Sequence, residues 1–117
     1  MPPKIELMDH PLTTIEKSVL ESQIVEQLRT VYDPEIPVNV YDLGLIYDIQ
    51  ISEERDAKIV MTLTSPMCPV AESLPAEVQV AAAQTPGVGA VSVELTWDPP
   101  FTVERIPDEV KLMLGLL

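Results

Sequence analysis

The feature that most constrains the fold is the stretch of residues 57–84, where a strand pattern is followed directly by a helix pattern. From Ala57 to Leu63, apolar residues occupy every second position, which is the period of a strand with one buried face. Over residues 69–84 the apolar residues recur at helical spacing. We therefore predict a strand, a short loop and a helix here.

Cys68, the single cysteine of the chain, lies between this strand and this helix. Pro69 suits the first helical position, because its missing N–H would have no helical partner there. Cys68 is then the N-cap, where unpaired N–H groups and the helix dipole lower a thiol pKa. A thiolate is both a nucleophile and a metal ligand, so Cys68 is a candidate functional residue. The alternative is a small buried thiol that only packs.

The remaining patterns predict an α+β domain over residues 17–117, preceded by a flexible N-terminal arm over residues 1–16. An apolar stripe from Leu20 to Val31 predicts a first helix, capped near Ser18 and ending near Tyr32. Two further alternating segments, at residues 45–52 and 91–98, predict two more strands, with Trp97 pointing inward at the end of the last one.

A final short helix is predicted from Pro107 to a stop at Gly115. The order is thus helix, strand, strand, helix, strand, helix. Because each strand has one apolar face, helices can cover that face while the other stays polar, as in a two-layer α+β domain. The strand–helix–strand connection indicates a βαβ unit, so we expect a small mixed three-stranded sheet.

Three carboxylates, Asp33, Glu35 and Asp42, lie in a loop that contains two prolines and closes with Gly44. Two interpretations stay open. The carboxylates are an acid/base pair or hard metal ligands, or they cap turns and helix ends. The spacing favours the structural role, most of all for Asp33, which precedes a proline.

The composition narrows the class of protein. The chain has 117 residues, of which 46% are hydrophobic and 22% charged, and this predicts one globular domain. Its net charge of -12 argues against binding to nucleic acid or to anionic membranes. One cysteine forms no intrachain disulfide, and neither a membrane-length apolar run nor a signal-peptide core is present, so we expect a cytoplasmic protein. With one histidine, His10, the chain offers no Cys/His cluster for a closed metal site.

Four short motifs occur in the same order as in a known family. They are Asp33-Pro34-Glu35, Asp42-Leu43-Gly44-Leu45-Ile46-Tyr47, Thr62-Leu63-Thr64-Ser65-Pro66-Met67-Cys68-Pro69 and Trp97-Asp98-Pro99-Pro100. Together they resemble the iron–sulfur assembly family that includes the bacterial SufT proteins, the PaaD proteins and the eukaryotic cytosolic iron–sulfur targeting component. The resemblance covers residues from about 18 to 117.

The resemblance implies a non-catalytic accessory factor that helps deliver iron–sulfur clusters to apo-client proteins as an adaptor. It implies SUF assembly proteins and apo iron–sulfur clients as partners, and a homodimer as an expected assembly. The family's cysteine corresponds to Cys68 and its acidic loop to Asp33, Glu35 and Asp42, and Thr64 completes the binding candidates. No stably bound cofactor is expected, and transient binding of a cluster or iron through Cys68 stays open.

Two departures from the family pattern are visible. Met67 stands where many members have glycine, and Phe101 where tryptophan is common. A PaaD-like maturation factor for a multicomponent oxygenase is an alternative, disfavoured because the sequence shows no cysteine-rich tail. A cysteine-dependent enzyme is a second alternative, disfavoured because no histidine accompanies Cys68 in the globular region.

Overall fold

The computed structural model describes residues 12–33, 36–64 and 70–116, and within them three strands form one mixed sheet. The strands β1 (Ile46–Ile51), β2 (Ala57–Met61) and β3 (Val91–Leu95) lie in the order β1-β2-β3. β1 runs antiparallel to β2, and β3 runs parallel to β2. The predicted mixed three-stranded sheet is confirmed.

The two faces of the sheet differ in chemistry, as the alternating pattern predicts. In β2, Ala57, Ile59 and Met61 are buried, whereas Lys58 is exposed. On the exposed face the Lys58 ammonium lies 2.9 Å from the Glu94 carboxylate of β3. The apolar face is thus free to pack on helices while the polar face meets solvent.

β3 ends earlier than the alternating pattern predicts. The strand stops at Leu95, and Trp97, which was expected to point inward, lies beyond it and is 44% exposed. The Thr96 hydroxyl donates to the Asp98 carbonyl at 3.2 Å and accepts from the Asp98 N–H at 3.3 Å. These two bonds occupy the Asp98 backbone groups, which would otherwise be available to a strand ladder. The strand therefore does not continue, and the predicted inward position of Trp97 was wrong.

The first helix, α1 (Thr14–Leu28), begins with a capping box. The Thr13 hydroxyl accepts from the Glu16 N–H at 3.2 Å, and the Glu16 carboxylate accepts from the Thr13 N–H at 3.0 Å. These reciprocal bonds satisfy two free N–H groups, so the cap is Thr13 and not Ser18, which lies inside the helix. The predicted apolar stripe is buried at Leu20, Ile24 and Leu28.

The end of α1 also comes earlier than the predicted stop near Tyr32. The Gln27 carbonyl accepts from the Thr30 hydroxyl at 2.6 Å and from the Thr30 N–H at 3.0 Å, which closes the last turn. Val31 is buried as predicted, although it lies beyond the end of the helix. Tyr32 then forms an isolated bridge with Asn39.

The second helix, α2 (Val70–Ala83), connects β2 to β3 and completes the βαβ unit. Its range agrees with the prediction for residues 69–84, and it continues through Pro75. Beyond β3, a short 3₁₀ turn (Val103–Arg105) leads to α3 (Asp108–Met113). Gly115, at φ +77, follows α3 where the sequence predicts its end.

The core lies between the helices and the apolar face of the sheet. Its largest fully buried side chains include Ile24, Leu28, Leu43, Leu45, Ile59, Met61, Leu63, Leu74 and Val78. The predicted order of elements and the two-layer α+β class are confirmed. Of the predicted arm, residues 1–11 lie outside the described residues, and Leu12 is buried against the core.

Gly89, just before β3, is the position where we expect an added methyl group to be costly. A Cβ there would lie 2.5 Å from Asp56 Oδ1, which accepts from the Ala90 N–H at 2.8 Å. Gly89→Ala must displace that carboxylate, so we expect a loss of about 0.5–1.5 kcal/mol in the free energy of unfolding, measured by urea denaturation. In an Asp56→Ala background the same change should cost little, and an equal cost in both backgrounds would contradict the explanation.

Candidate functional site

One edge of the sheet brings the sequence motifs together. β1 begins at this edge, whereas β2 and β3 end there. The Thr62 N–H donates to the Leu45 carbonyl at 2.9 Å, and the Thr96 N–H donates to the Met61 carbonyl at 2.8 Å. The loop that leads into β1 and the two segments that leave β2 and β3 are therefore neighbours.

Asp33 is a buried carboxylate at this edge, with 4% of its surface exposed. Its Oδ1 accepts from the Ile36 N–H at 2.9 Å, and its own N–H donates to the Val38 carbonyl at 3.1 Å. These bonds stabilise the turn at the start of the acidic loop. The turn role that the sequence favoured for Asp33 agrees with this geometry.

The second carboxylate oxygen of Asp33 contacts the cysteine motif. The Thr64 hydroxyl donates to Asp33 Oδ2 at 3.2 Å, across 31 positions of sequence. Thr64 directly precedes residues 65–69, which lie outside the described residues, as do residues 34–35. The roles of Cys68 and Glu35 therefore stay predictions, whereas the structure brings Asp33 and Thr64 together.

Asp42, the third candidate carboxylate, has a different set of partners. Its Oδ2 accepts from the Asn39 side-chain amide at 2.9 Å, and its Oδ1 lies 3.3 Å from Arg29 Nε. Its N–H donates to Asn39 Oδ1 at 2.8 Å. The Arg29 guanidinium also lies 5.2 Å from the centroid of the Tyr41 ring. These are the contacts of a residue that stabilises a turn, and a binding role for Asp42 stays a prediction.

Tyr47 connects the last motif to β1, a contact that sequence reasoning did not find. Its hydroxyl donates to the Pro99 carbonyl at 2.7 Å, and the Arg105 guanidinium lies 5.2 Å from its ring centroid. The register of β1 shifts between Ile46 and Asp48, and such a bulge redirects a side chain. Tyr47 and Pro99 belong to two of the four motifs, but no sequence pattern predicts the hydrogen bond between these two residues.

The donor groups at this edge do not form a metal site within the part of the chain that the structure describes. Among residues 12–33, 36–64 and 70–116, no three His, Cys, Asp or Glu side chains lie close enough together to hold a metal ion. An iron–sulfur cluster usually takes four ligands, mostly thiolates, and this chain supplies one cysteine.

In the same described residues, no helix has the length and hydropathy that a bilayer crossing requires.

Comparison with known proteins places this geometry in a family. The sequence profile of a family described as "Iron-sulfur cluster assembly protein" matches residues 21–94. An "Fe-S protein maturation auxiliary factor" from Porphyromonas gingivalis is 44% identical over 97 residues, which are 83% of this chain and 92% of the relative. The "Fe-S protein maturation auxiliary factor SufT" from Staphylococcus aureus is 31% identical over 86 residues, 74% of this chain and 98% of that protein.

A longer relative is an "Iron-sulfur cluster carrier protein" from Synechocystis, 31% identical over 85 residues, which are 73% of this chain and 24% of that protein. Among known structures, a DUF59 domain from Bacillus anthracis superposes with a TM-score of 0.77 at 34% identity, covering 86% of this chain and 95% of that one. The predicted α+β fold and the predicted SufT-type resemblance are both confirmed. The chain belongs to the iron–sulfur cluster assembly protein family.

Proposed function

We propose that this protein is an auxiliary factor in iron–sulfur cluster assembly that helps deliver clusters to apo-client proteins as an adaptor. The observation that carries the proposal is the match to the iron–sulfur cluster assembly protein family, and the bond from Thr64 to Asp33 adds that the acidic loop adjoins the segment leading to Cys68. The names of the relatives, maturation auxiliary factors and a cluster carrier, support the same process. The proposed partners are SUF assembly proteins and apo iron–sulfur clients in the cytoplasm.

Cys68 is the residue that we expect to contact the iron–sulfur cluster or the cluster-binding site of the client protein. A thiolate is the usual protein ligand of iron–sulfur clusters. Because each chain supplies one cysteine, a cluster held here draws its other ligands from a second copy, from the client or from a small thiol. Such a ligand set favours transfer over storage, and it makes the cluster cargo and not a resident cofactor.

Asp33 and Thr64 have a positioning role in this proposal. Their hydrogen bond holds Thr64, four positions before Cys68, against the acidic loop. Glu35 follows Asp33 by two positions, and we propose that its carboxylate takes part in binding the partner. The role is non-catalytic, in keeping with relatives that are named as factors and carriers.

Cys68→Ser is the direct test of the adaptor function. In cells that lack the gene, the wild-type chain should restore the activity of an iron–sulfur dehydratase, and Cys68→Ser should restore about tenfold less or worse. Ser92 is exposed on β3, so a Cys68→Ser/Ser92→Cys chain keeps one thiol and moves it to another surface. That control should not restore activity. Full dehydratase activity in the cells without the gene, or full rescue by Cys68→Ser, would contradict the proposal.

A second candidate function, transient carriage of the cluster, is favoured by the carrier relative. The purified chain is mixed anaerobically with iron and sulfide, and visible charge-transfer absorption is recorded. Absorption that is lost in Cys68→Ser supports carriage. Absence of absorption, together with recovery of SUF proteins or apo-clients on the immobilised wild-type chain, supports the adaptor without cargo.

A further inference from the structure

An open groove of about 390 Å³ lies between the end of α1 and the middle of α2. We call it the α1–α2 groove, and its lining residues are Thr30, Val31, Ala76, Glu77, Val80 and Ala81. Val80 is 61% exposed there. One large apolar side chain, that of Val80, is therefore exposed to solvent within this groove.

Part of the apolar lining of this groove lies outside the core, since Val80 and Ala76 are exposed, whereas Val31 is buried in the core and Ala81 packs against it. α2 packs against the core through Leu74, Val78 and Ala82, which are buried on another face of the helix. The exposed side chain of Val80 is therefore not needed for that packing. Val80 and three further apolar residues line one surface groove, and an apolar groove indicates an interaction site where a single exposed residue would be ordinary. A groove beside a helix also fits the way in which amphipathic helices are bound.

The charge around the groove is negative. Glu77 is part of its lining, and α2 has no lysine or arginine in its sequence. The groove also adjoins the C-terminal end of α1, which carries the negative end of the helix dipole and has no basic residue in its last turn. Arg29, which caps that end, is paired with Asp42 and with Glu26. The chain as a whole has a net charge of -12.

We propose that the α1–α2 groove binds a segment of a partner protein in which apolar side chains are flanked by lysines or arginines, in the form of an amphipathic basic helix. The apolar lining takes the apolar side chains, and the negative surroundings select the cations. The inference rests on the proposed adaptor function and names the chemistry of its partner. Val31 of the groove lining comes two positions before Asp33, so a bound segment would lie near the acidic loop.

A pair of designed peptides tests the groove without knowledge of the natural partner. The basic peptide has leucines at helical spacing and lysines at the other positions, and its acidic twin has glutamates in place of the lysines. Each is labelled and titrated with the full chain, and fluorescence anisotropy is measured. The basic peptide should bind at least about tenfold more tightly than the acidic twin, and added salt should weaken it.

Variants locate the binding on the protein. Val80→Glu should weaken the basic peptide by about tenfold or more, because it places a charge among the apolar contacts. Glu77→Lys should weaken it by a smaller factor, through charge alone. Leu112→Glu is the matched control, since Leu112 on α3 is 67% exposed and does not line the groove, and it should leave the binding of the basic peptide unchanged. Urea denaturation checks that each variant keeps the stability of the wild type.

Three results would overturn the inference: equal binding of both peptides, unchanged binding by Val80→Glu and Glu77→Lys, or conversion of a dimer to a monomer by Val80→Glu. The last would assign the groove to a second copy of the chain. The dehydratase rescue assay keeps this test apart from the proposed function. If wild type rescues but Val80→Glu rescues equally, the groove inference fails and the function stands. If wild type does not rescue, the function fails whatever the peptides do.

Discussion

Replacing Asp33 with alanine should lower the free energy of unfolding by about 2–4 kcal/mol, because it removes hydrogen bonds to a buried carboxylate. The Ile36 N–H at 2.9 Å and the Thr64 hydroxyl at 3.2 Å would both lose their acceptor. Client maturation should fall as well, since the segment that leads to Cys68 loses its attachment to the acidic loop. Urea denaturation measures the first effect, and the dehydratase rescue assay measures the second.

Asp42→Ala is the matched control for this change. Its side chain is 41% exposed and its ion pair with Arg29 is at the surface, so we expect a cost nearer about 1 kcal/mol. A double-mutant cycle with Thr64→Val isolates the bond to Asp33, and its coupling energy should be about 0.5–1.5 kcal/mol. Equal costs for the two aspartates, or no coupling between Asp33 and Thr64, would show that the contact does not fix this edge.

Ile59→Ala should cost about 2–5 kcal/mol in the free energy of unfolding, since it leaves a cavity at the centre of the sheet. Ile59 has no exposed surface, and it lies in β2 between Ile49 of β1 and Val93 of β3. A domain of this size has a total stability of about 5–15 kcal/mol, so a variant at the upper end of the range would be largely unfolded at moderate temperature. Thermal denaturation followed by circular dichroism measures the loss.

The neighbouring residue supplies the control for Ile59. Val60 lies on the same strand but on the other face of the sheet, where it is only partly buried. Val60→Ala should therefore cost less than about 1 kcal/mol. Similar losses at the two positions would mean that both faces of the sheet are buried, for example by a second copy of the chain, and the polar face would then have to be reinterpreted.

The sequence was sufficient for the element types because periodicity is a local property. Alternation in β2 and the stripe of Leu20, Ile24 and Leu28 need only neighbours along the chain to be recognised. The errors fell at the ends of elements. There, single side chains such as Thr13 and Thr96 bond to nearby backbone and decide where a helix starts or a strand stops.

The family and the α+β order of this protein were thus determined by sequence alone, through local patterns and four motifs in order. The contacts between those motifs were decided by the tertiary structure. The pairing of Thr64 with Asp33 and of Tyr47 with Pro99 depends on β1 starting where β2 and β3 end, and no local pattern records that arrangement. The exposure of Val80 likewise depends on how α2 packs against the rest of the protein, because burial is a property of the whole fold.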